Sequence, residues 1–291
     1  FDTGPLQERL FREASLNETT VDVGFLLNTQ AVPRISTLFE PLDDYLAADP
    51  VEDLDDVFPG LIEGMRVGGS LMGMPFRHAS SGLHYNAAIL EERGFSHGPE
   101  TIEEMIEMVR ACTYRPDSGP AVVGLVTPGV TYPNVIDLAR AWNGDFITLD
   151  YRCVANHEGM LNAVRTLRAL FEEGAFPRNF ASITTEDVNV WMQQGRAAFS
   201  LQSMGRNRIY NDPAQSQYTG RIHTVALPIS EQCAGQFEVA PAKVEFWGMT
   251  IPRNARRKDL SWSFIRHMLS RQSTLGAALN GNGPVRASTY E

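Results

Sequence analysis

Residues 68–95 read GGSLMGMPFRHASSGLHYNAAILEERGF, and their punctuation predicts a chain path. The pair Gly68-Gly69 takes positive φ at no steric cost, so it predicts a turn between two short strands. Pro75 and the polar run Arg77-His78-Ala79-Ser80-Ser81 predict a loop next. Strand character returns at Leu83 to Tyr85, and Asn86 suits the N-cap of a helix that Gly94 closes. Strands, a loop and a helix in so short a span are the grammar of an α/β chain.

The alternation continues along the sequence. Residues 21–27 form a short apolar run with a β-branched start, suited to a buried parallel strand. Residues 35–45 have helical spacing at Leu38, Leu42 and Tyr45. The clearest helix is 101–112, where Ile102, Met105, Ile106 and Val109 line one face. Thr101 and Glu104 predict a capping box at its start. A strand at 122–127, a helix at 134–142 and a long amphipathic helix at 159–173, stopped by Gly174, come next. A short helix is expected at 186–194, strands at 197–202, 222–227 and 244–251, and a helix at 260–269.

Composition narrows the functional classes. The 291 residues allow one large or two ordinary domains, and 43% apolar with 21% charged residues marks a packed chain. The formal net charge is −10 with lysine and arginine scattered, so a nucleic-acid partner is not expected. Arg256-Arg257-Lys258, the densest basic run, suits a solvated turn. No stretch approaches the ~20 apolar residues of a membrane span. No secretory signal is visible, since Phe1-Asp2-Thr3 starts in mature-looking sequence, and a processed or trimmed chain would show none. Cys112, Cys153 and Cys233 lie far apart without CxxC spacing; no metal site or disulfide framework is expected, and a single disulfide stays open. His157-Glu158 lacks the second histidine of HExxH, and neither GxSxG nor a P-loop occurs.

Residues 68–95 resemble the "d-G-k-l-y-g-l-P … l-x-Y-N-k-d-l-f-e-e-x-G" signature of the bacterial extracellular solute-binding proteins, the family that includes maltose-binding protein. Further segments are similar in the same order. Residues 38–46 resemble "l-x-p-L-d-d-y-l", 99–104 "P-k-T-w-d-E", and 171–174 the end of a helix in the second lobe. Residues 191–199 resemble "f-x-x-G-k-a-A-m", Leu227-Pro228 the "l-P" ending a strand, and 247–252 "g-w-G-l-a-I-p". Residues 262–265 resemble "A-w-e-F-i-k", and 283–286 "g-x-P-x-r".

The resemblance implies an α/β, two-lobed periplasmic-binding-protein fold of type II with a hinge. The chain enters after the family's usual N-terminal strand and stops before its C-terminal helices. Lobe one is expected at 1–120 with 245–284 returning to it, and lobe two at 121–244 with 285–291. Crossovers are expected at 118–120 and 235–243. The implied function is that of a monomeric receptor of an ABC importer, periplasmic or else extracellular and membrane-tethered. It captures a sugar or sugar-like solute, a polyol or sugar acid included, by hinge closure and delivers it to a membrane permease. No catalysis, cofactor or metal is implied.

A sugar offers flat C–H faces to aromatic rings and hydroxyls to paired donors and acceptors. In such folds ligands sit where loops leave the carboxyl ends of strands. The first candidate loop carries Arg77, His78 and Ser80, although Arg77 equally suits a surface ion pair and His78 simple exposure. In the second, Trp142 reads better as core, leaving Asn143 and Asp145 as candidates around Gly144. The third holds Ser203, Met204 and Arg206 where relatives often place Gly-Trp. Its arginine suits a carboxylate, phosphate or sulfonate, a neutral sugar, or a salt bridge within the lobe. The fourth holds Phe246 and Trp247, with Trp247 where relatives present an aromatic ring; a core role would give its indole N–H a buried partner. Asn28, with Thr29 and Gln30, forms a weaker fifth. Arg286 reads more readily as a structural ion pair. Two other classes stay open: a bilobal sensor feeding a membrane signalling protein, and an enzyme with an unrecognised site.

Overall fold

In the computed structural model, which describes residues 3–129, 132–148 and 150–291, the chain opens with helix α1 (Thr3–Ala14) and strand β1 (Gly24–Leu27). The side chain of buried Gln7 on α1 acts as a substitute for a neighbouring strand. Its Nε2–H donates to the Phe25 carbonyl at 2.9 Å and its Oε1 accepts the Leu27 N–H at 3.3 Å. The helix expected at 35–45 is split into a 3-10 turn (Pro33–Thr37) and helix α2 (Asp43–Ala48). Between them Glu40 N–H donates to the Ile251 carbonyl, and Pro41 cannot continue a helix. Helix α3 (Pro59–Glu63) precedes the hairpin of β2 (Arg66–Val67) and β3 (Ser70–Leu71). Gly68 and Gly69 turn it with φ of 59° and 86°, the signs a type I′ turn needs.

The stretch from Met74 to Asn86 is one continuous thirteen-residue strand, β4. The polar run 77–81, expected as a loop, is therefore extended backbone. Asn86 ends it as expected, accepting the Ala88 and Ile89 N–H groups as N-cap of α4 (Ala87–Glu92). Thr101 caps α5 (Ile102–Ala111), but the Glu104 carboxylate takes the Glu100 N–H instead of closing the box on Thr101. Then come β5 (Val123–Val126), α6 (Tyr132–Ala139), α7 (Glu158–Glu172) and α8 (Thr185–Gln193). The capping box the sequence offered at 101–104 is found instead at Thr184 and Asp187, before α8. The path continues through β6 (Ala197–Ser203), α9 (Arg206–Tyr210), β7 (Ile222–Val225), β8 (Val244–Thr250), α10 (Lys258–Met268) and α11 (Arg271–Leu279).

The chain forms two compact units, residues 1–79 with 244–291 and residues 80–243. The first crossing lies inside β4 and not at 118–120. Residues 80–120 join the second unit because Leu83, Ile89, Leu90, Ile102, Met105, Met108 and Val109 share one apolar core with Val122 and Leu125. The second crossing, at 243–244, lies at the end of the expected region. Ser81 N–H donates to the Lys243 carbonyl at 3.1 Å, so the two chain segments adjoin on the second unit's side. Residues 285–291 stay with the first unit, where Val285 belongs to the core.

In the first unit β1 is antiparallel to β8, pairing Leu26 with Gly248 and Leu27 with Trp247, so the parallel strand expected here is replaced by a returning one. In the second unit β4 is antiparallel to both β6 and β7, and β5 runs parallel to β6. One sheet face carries Leu83, Leu125 and Phe199 in a core with α5, α6 and α7. A smaller cluster around Val126, Val188, Met192 and Tyr210 covers the other. All three cysteines are free thiols, and burial pushes the Cys112 thiol up to about 11.

Fully buried Arg286 ties the returning segment to residues 52–56. Its guanidinium donates to the carbonyls of Leu269, Glu52 and Asp53 and pairs with the Asp56 carboxylate at 3.3 Å. Replacing it by methionine strips these acceptors of their donor, so Arg286→Met is expected to destabilise the first unit by about 3 kcal/mol in urea unfolding. A loss under about 0.5 kcal/mol would place the restraint elsewhere. Gln7→Ala should cost about 1–2 kcal/mol and raise hydrogen exchange at Leu27 N–H, since two strand-edge groups lose their partner.

Candidate functional site

In the first unit, Trp247 follows Phe246 on β8, and the pleat sends them to opposite faces. Phe246 is buried in the core, so close to Gly64 that a Cβ there would meet its ring at 2.7 Å. It has no surface to offer a ligand. Trp247 is half-buried and stands outside the apolar core, and its indole N–H has no hydrogen-bond partner among the described residues. A core tryptophan would have found one. Asn28 spends its amide on the same strand: Nδ2 donates to the Val244 carbonyl at 3.4 Å and Oδ1 accepts the Phe246 N–H at 3.2 Å. It aligns the strand that carries Trp247.

Because 77–81 is strand, Arg77 and His78 also point to opposite sides. Arg77 is exposed, and no carboxylate pairs with it among the described residues. His78 is half-buried and edge-on to Phe58, with ring centroids 6.1 Å apart, and its backbone N–H donates to the Gly283 carbonyl. Burial pulls its pKa below the usual histidine value, so the ring is held neutral.

In the second unit, the Ser80 carbonyl accepts the Met204 N–H at 2.9 Å, joining two of the candidate segments. The 142–145 segment is largely committed to its own lobe. Trp142 packs on the core, Asp145 pairs with Arg140 at 2.6 Å, and the amide of exposed Asn143 reaches Gln236 at 3.5 Å. Gly144 serves close packing: a Cβ there would sit 2.7 Å from the Gly159 backbone.

Arg206 differs from these. It starts α9 directly after the Ser203-Met204-Gly205 turn, is half-buried, and has no carboxylate partner among the described residues. Many other arginines are engaged, Arg66, Arg110 and Arg221 with carboxylates, and Arg93 and Arg196 over aromatic rings. A half-buried, uncommitted guanidinium is a ready partner for oxygen-rich solutes.

The sequence reading missed three polar groups here. His84 is fully buried and its pKa falls to about 4, chiefly through burial. Ser81 Oγ–H donates to Asp137 Oδ2 at 2.7 Å. That pair lines a small crevice together with Leu201, Leu227 and Ala240. Only His84 carried a signal, a histidine alternating with Leu83 and Tyr85 on a buried strand. Of the candidates, Trp247 keeps an indole face and N–H, and Arg77 and Arg206 keep guanidinium donors, without a partner among the described residues. No group of three or more His, Cys, Asp or Glu side chains suited to a metal occurs among the described residues, and no described helix is long and apolar enough to cross a membrane.

Comparison with known proteins supplies the context. Residues 19–274 match the family described as bacterial extracellular solute-binding protein. A "Probable ABC transporter-binding protein" of Deinococcus radiodurans is 24% identical over 265 residues, covering 86% of this chain and 60% of that protein. The chain thus spans about 60% of the length of that curated relative. Maltose-bound MalE3 of T. maritima matches the fold with a TM-score of 0.83 at 20% identity, over 99% of this chain and 71% of that one. A solute-binding protein from Agrobacterium radiobacter K84 in complex with ribitol gives 0.81 at 22% identity, over 99% and 72%. At such identities the likeness is one of fold, the two-lobed α/β architecture of maltose-binding-protein-like structures. With most of its length matched by the family, the chain belongs to the bacterial extracellular solute-binding proteins.

Proposed function

We propose that this chain is the periplasmic receptor of an ABC importer, holding a sugar or sugar-like solute between its lobes and presenting the closed form to a membrane permease. The observation that carries the reading is Trp247, a half-buried ring outside the core with an unspent indole N–H. Such a ring stacks on the C–H face of a sugar or polyol, while Arg206, Arg77 and Ser80 supply polar partners for its oxygens. The solutes named with the two structural neighbours, maltose and ribitol, are neutral and rich in hydroxyls. Arg206 admits a sugar acid or phosphorylated polyol as well. Ligand contacts made in both lobes favour the closed state by their differential affinity for it. Micromolar capture needs about 8 kcal/mol, within reach of one stacking ring and several charge-assisted hydrogen bonds.

A thermal-shift screen with maltose, ribitol, sugar acids and phosphorylated polyols tests this directly. A rise of several degrees with one class is expected, because only binding to the native state stabilises it. Trp247→Ala should then remove the shift while leaving the unliganded melting temperature within about 2 °C, because the ring stands outside the apolar core. Undiminished affinity in that variant would refute the stacking role. A response confined to anionic solutes should disappear in Arg206→Met.

A further inference from the structure

His84 lies away from the expected ligand segments, yet its hydrogen bonds lead to one of them. Its Nε2 is 3.1 Å from the Ser203 carbonyl, which can only accept, so Nε2 carries the proton. Its Nδ1 is 2.7 Å from Thr224 Oγ1. Asn207 Nδ2 donates both to that hydroxyl, at 2.7 Å, and to the Ile222 carbonyl, at 3.0 Å. The second bond fixes which end of the Asn207 amide faces Thr224, so the threonine proton goes to His84 Nδ1. The chain of donors therefore runs from Asn207 through Thr224 to His84 and ends on Ser203.

Both ends of this relay grip the turn that carries Arg206. Ser203 precedes it and Asn207 follows it, while Met204 N–H is held by the Ser80 carbonyl and Asn207 N–H by the Met204 carbonyl. Tyr210 on α9 closes over the imidazole edge-on, 4.9 Å between centroids. We propose that His84, as its neutral Nε2–H tautomer, is the positioning residue for Arg206, fixing the Ser203–Asn207 turn so that the guanidinium is aimed before any solute arrives. The proposal rests on Arg206 serving as a ligand-binding cation. Preorganisation of this kind reduces the ordering cost of binding.

The charged and titratable groups facing the ring from α9 are Arg206 and Tyr210; β6 and β7 contribute Ser203 and Thr224, which do not titrate. Burial and the nearby Arg206 charge both keep the imidazole neutral. Protonation would force a second donor onto Thr224 and place a second cation beside Arg206.

Long-range ¹H–¹⁵N spectra of the whole chain test the tautomer. His84 should show a protonated Nε2 and bare Nδ1 at pH 7 and remain neutral down to about pH 4. Hydrogen exchange tests the positioning. His84→Gln keeps an N–H for the Ser203 carbonyl and should hold exchange at Met204 and Asn207 within about threefold of the native protein. His84→Leu should speed it by more than about tenfold while the β6 amides of Phe199 and Leu201 stay protected. Acidification through about pH 4 should reproduce the His84→Leu pattern in the native protein but not in His84→Gln. An Nδ1–H tautomer, or unchanged exchange at both positions in His84→Leu, would overturn the proposal. If His84→Leu does not fold, the tautomer and the pH contrast between native protein and His84→Gln decide it. Calorimetry with ribitol and with glycerol 3-phosphate separates the two readings: failure of both to bind the native protein counts against the receptor role, whereas the tautomer and exchange results stand independently of any solute.

Discussion

Strand β4 is the constraint on which the rest depends, because its thirteen residues belong to both compact units. In the second unit it is paired on both edges, with β6 and with β7, and covered on both faces. A strand so enclosed has its register fixed by every neighbour at once. Leu83 must face the large apolar core and His84 the small cluster around Tyr210, since a one-residue slip would exchange them. An imidazole among Ile102, Met105 and Leu125 would lose both hydrogen bonds, at a cost of several kcal/mol. The same register brings Ser81 opposite Ser203 and thereby sets where the Arg206 turn begins.

That strand also shows what was legible in the sequence. Local punctuation was readable because it depends on adjacent residues: Gly68-Gly69 as a turn, Asn86 as a cap, Gly94 and Gly174 as helix ends, and the amphipathic spacing of α5 and α7. The polar run 77–81 looked like a loop because no local rule distinguishes a loop from a strand whose backbone is paired with distant segments, as here with Gly283, Lys243 and Met204. The domain division was misplaced for a related reason. Residues 80–120 contain nothing that says which core they join; Leu83, Met105 and Val109 become committed only through contact with Val122, Leu125 and Phe199. The capping box at 101–104 failed because the Glu104 carboxylate accepts from the Glu100 N–H and not from that of Thr101, a difference that composition cannot show.

The candidate site was legible in its residue types and less so in their orientations. Trp247 and Phe246 looked like one aromatic patch, yet the pleat assigns one to the core and one to the surface. Arg77 and His78 are divided in the same way. Asn143 and Asp145 looked available until Arg140 and Gln236 were found beside them, and both partners are invisible at the level of a motif. Arg206 is the opposite case. Its salt-bridge alternative could be set aside only by a structure in which no carboxylate approaches it among the described residues.

The charge of the protein bears on what such an arginine can do. A net charge of −10 disfavours anionic solutes at long range, but at physiological ionic strength that field decays within about 8 Å. Affinity is then decided by groups within contact distance, where a half-buried guanidinium outweighs distant surface carboxylates. For the same reason its direct neighbours matter more than the total charge. His84 kept neutral leaves the turn with one positive charge, firmly held; a protonated His84 would leave two, poorly held, because the hydrogen bonds that order the turn require an unprotonated Nδ1. On the positioning proposed for His84, burial of one imidazole keeps a second cation from the turn and holds the backbone that carries Arg206.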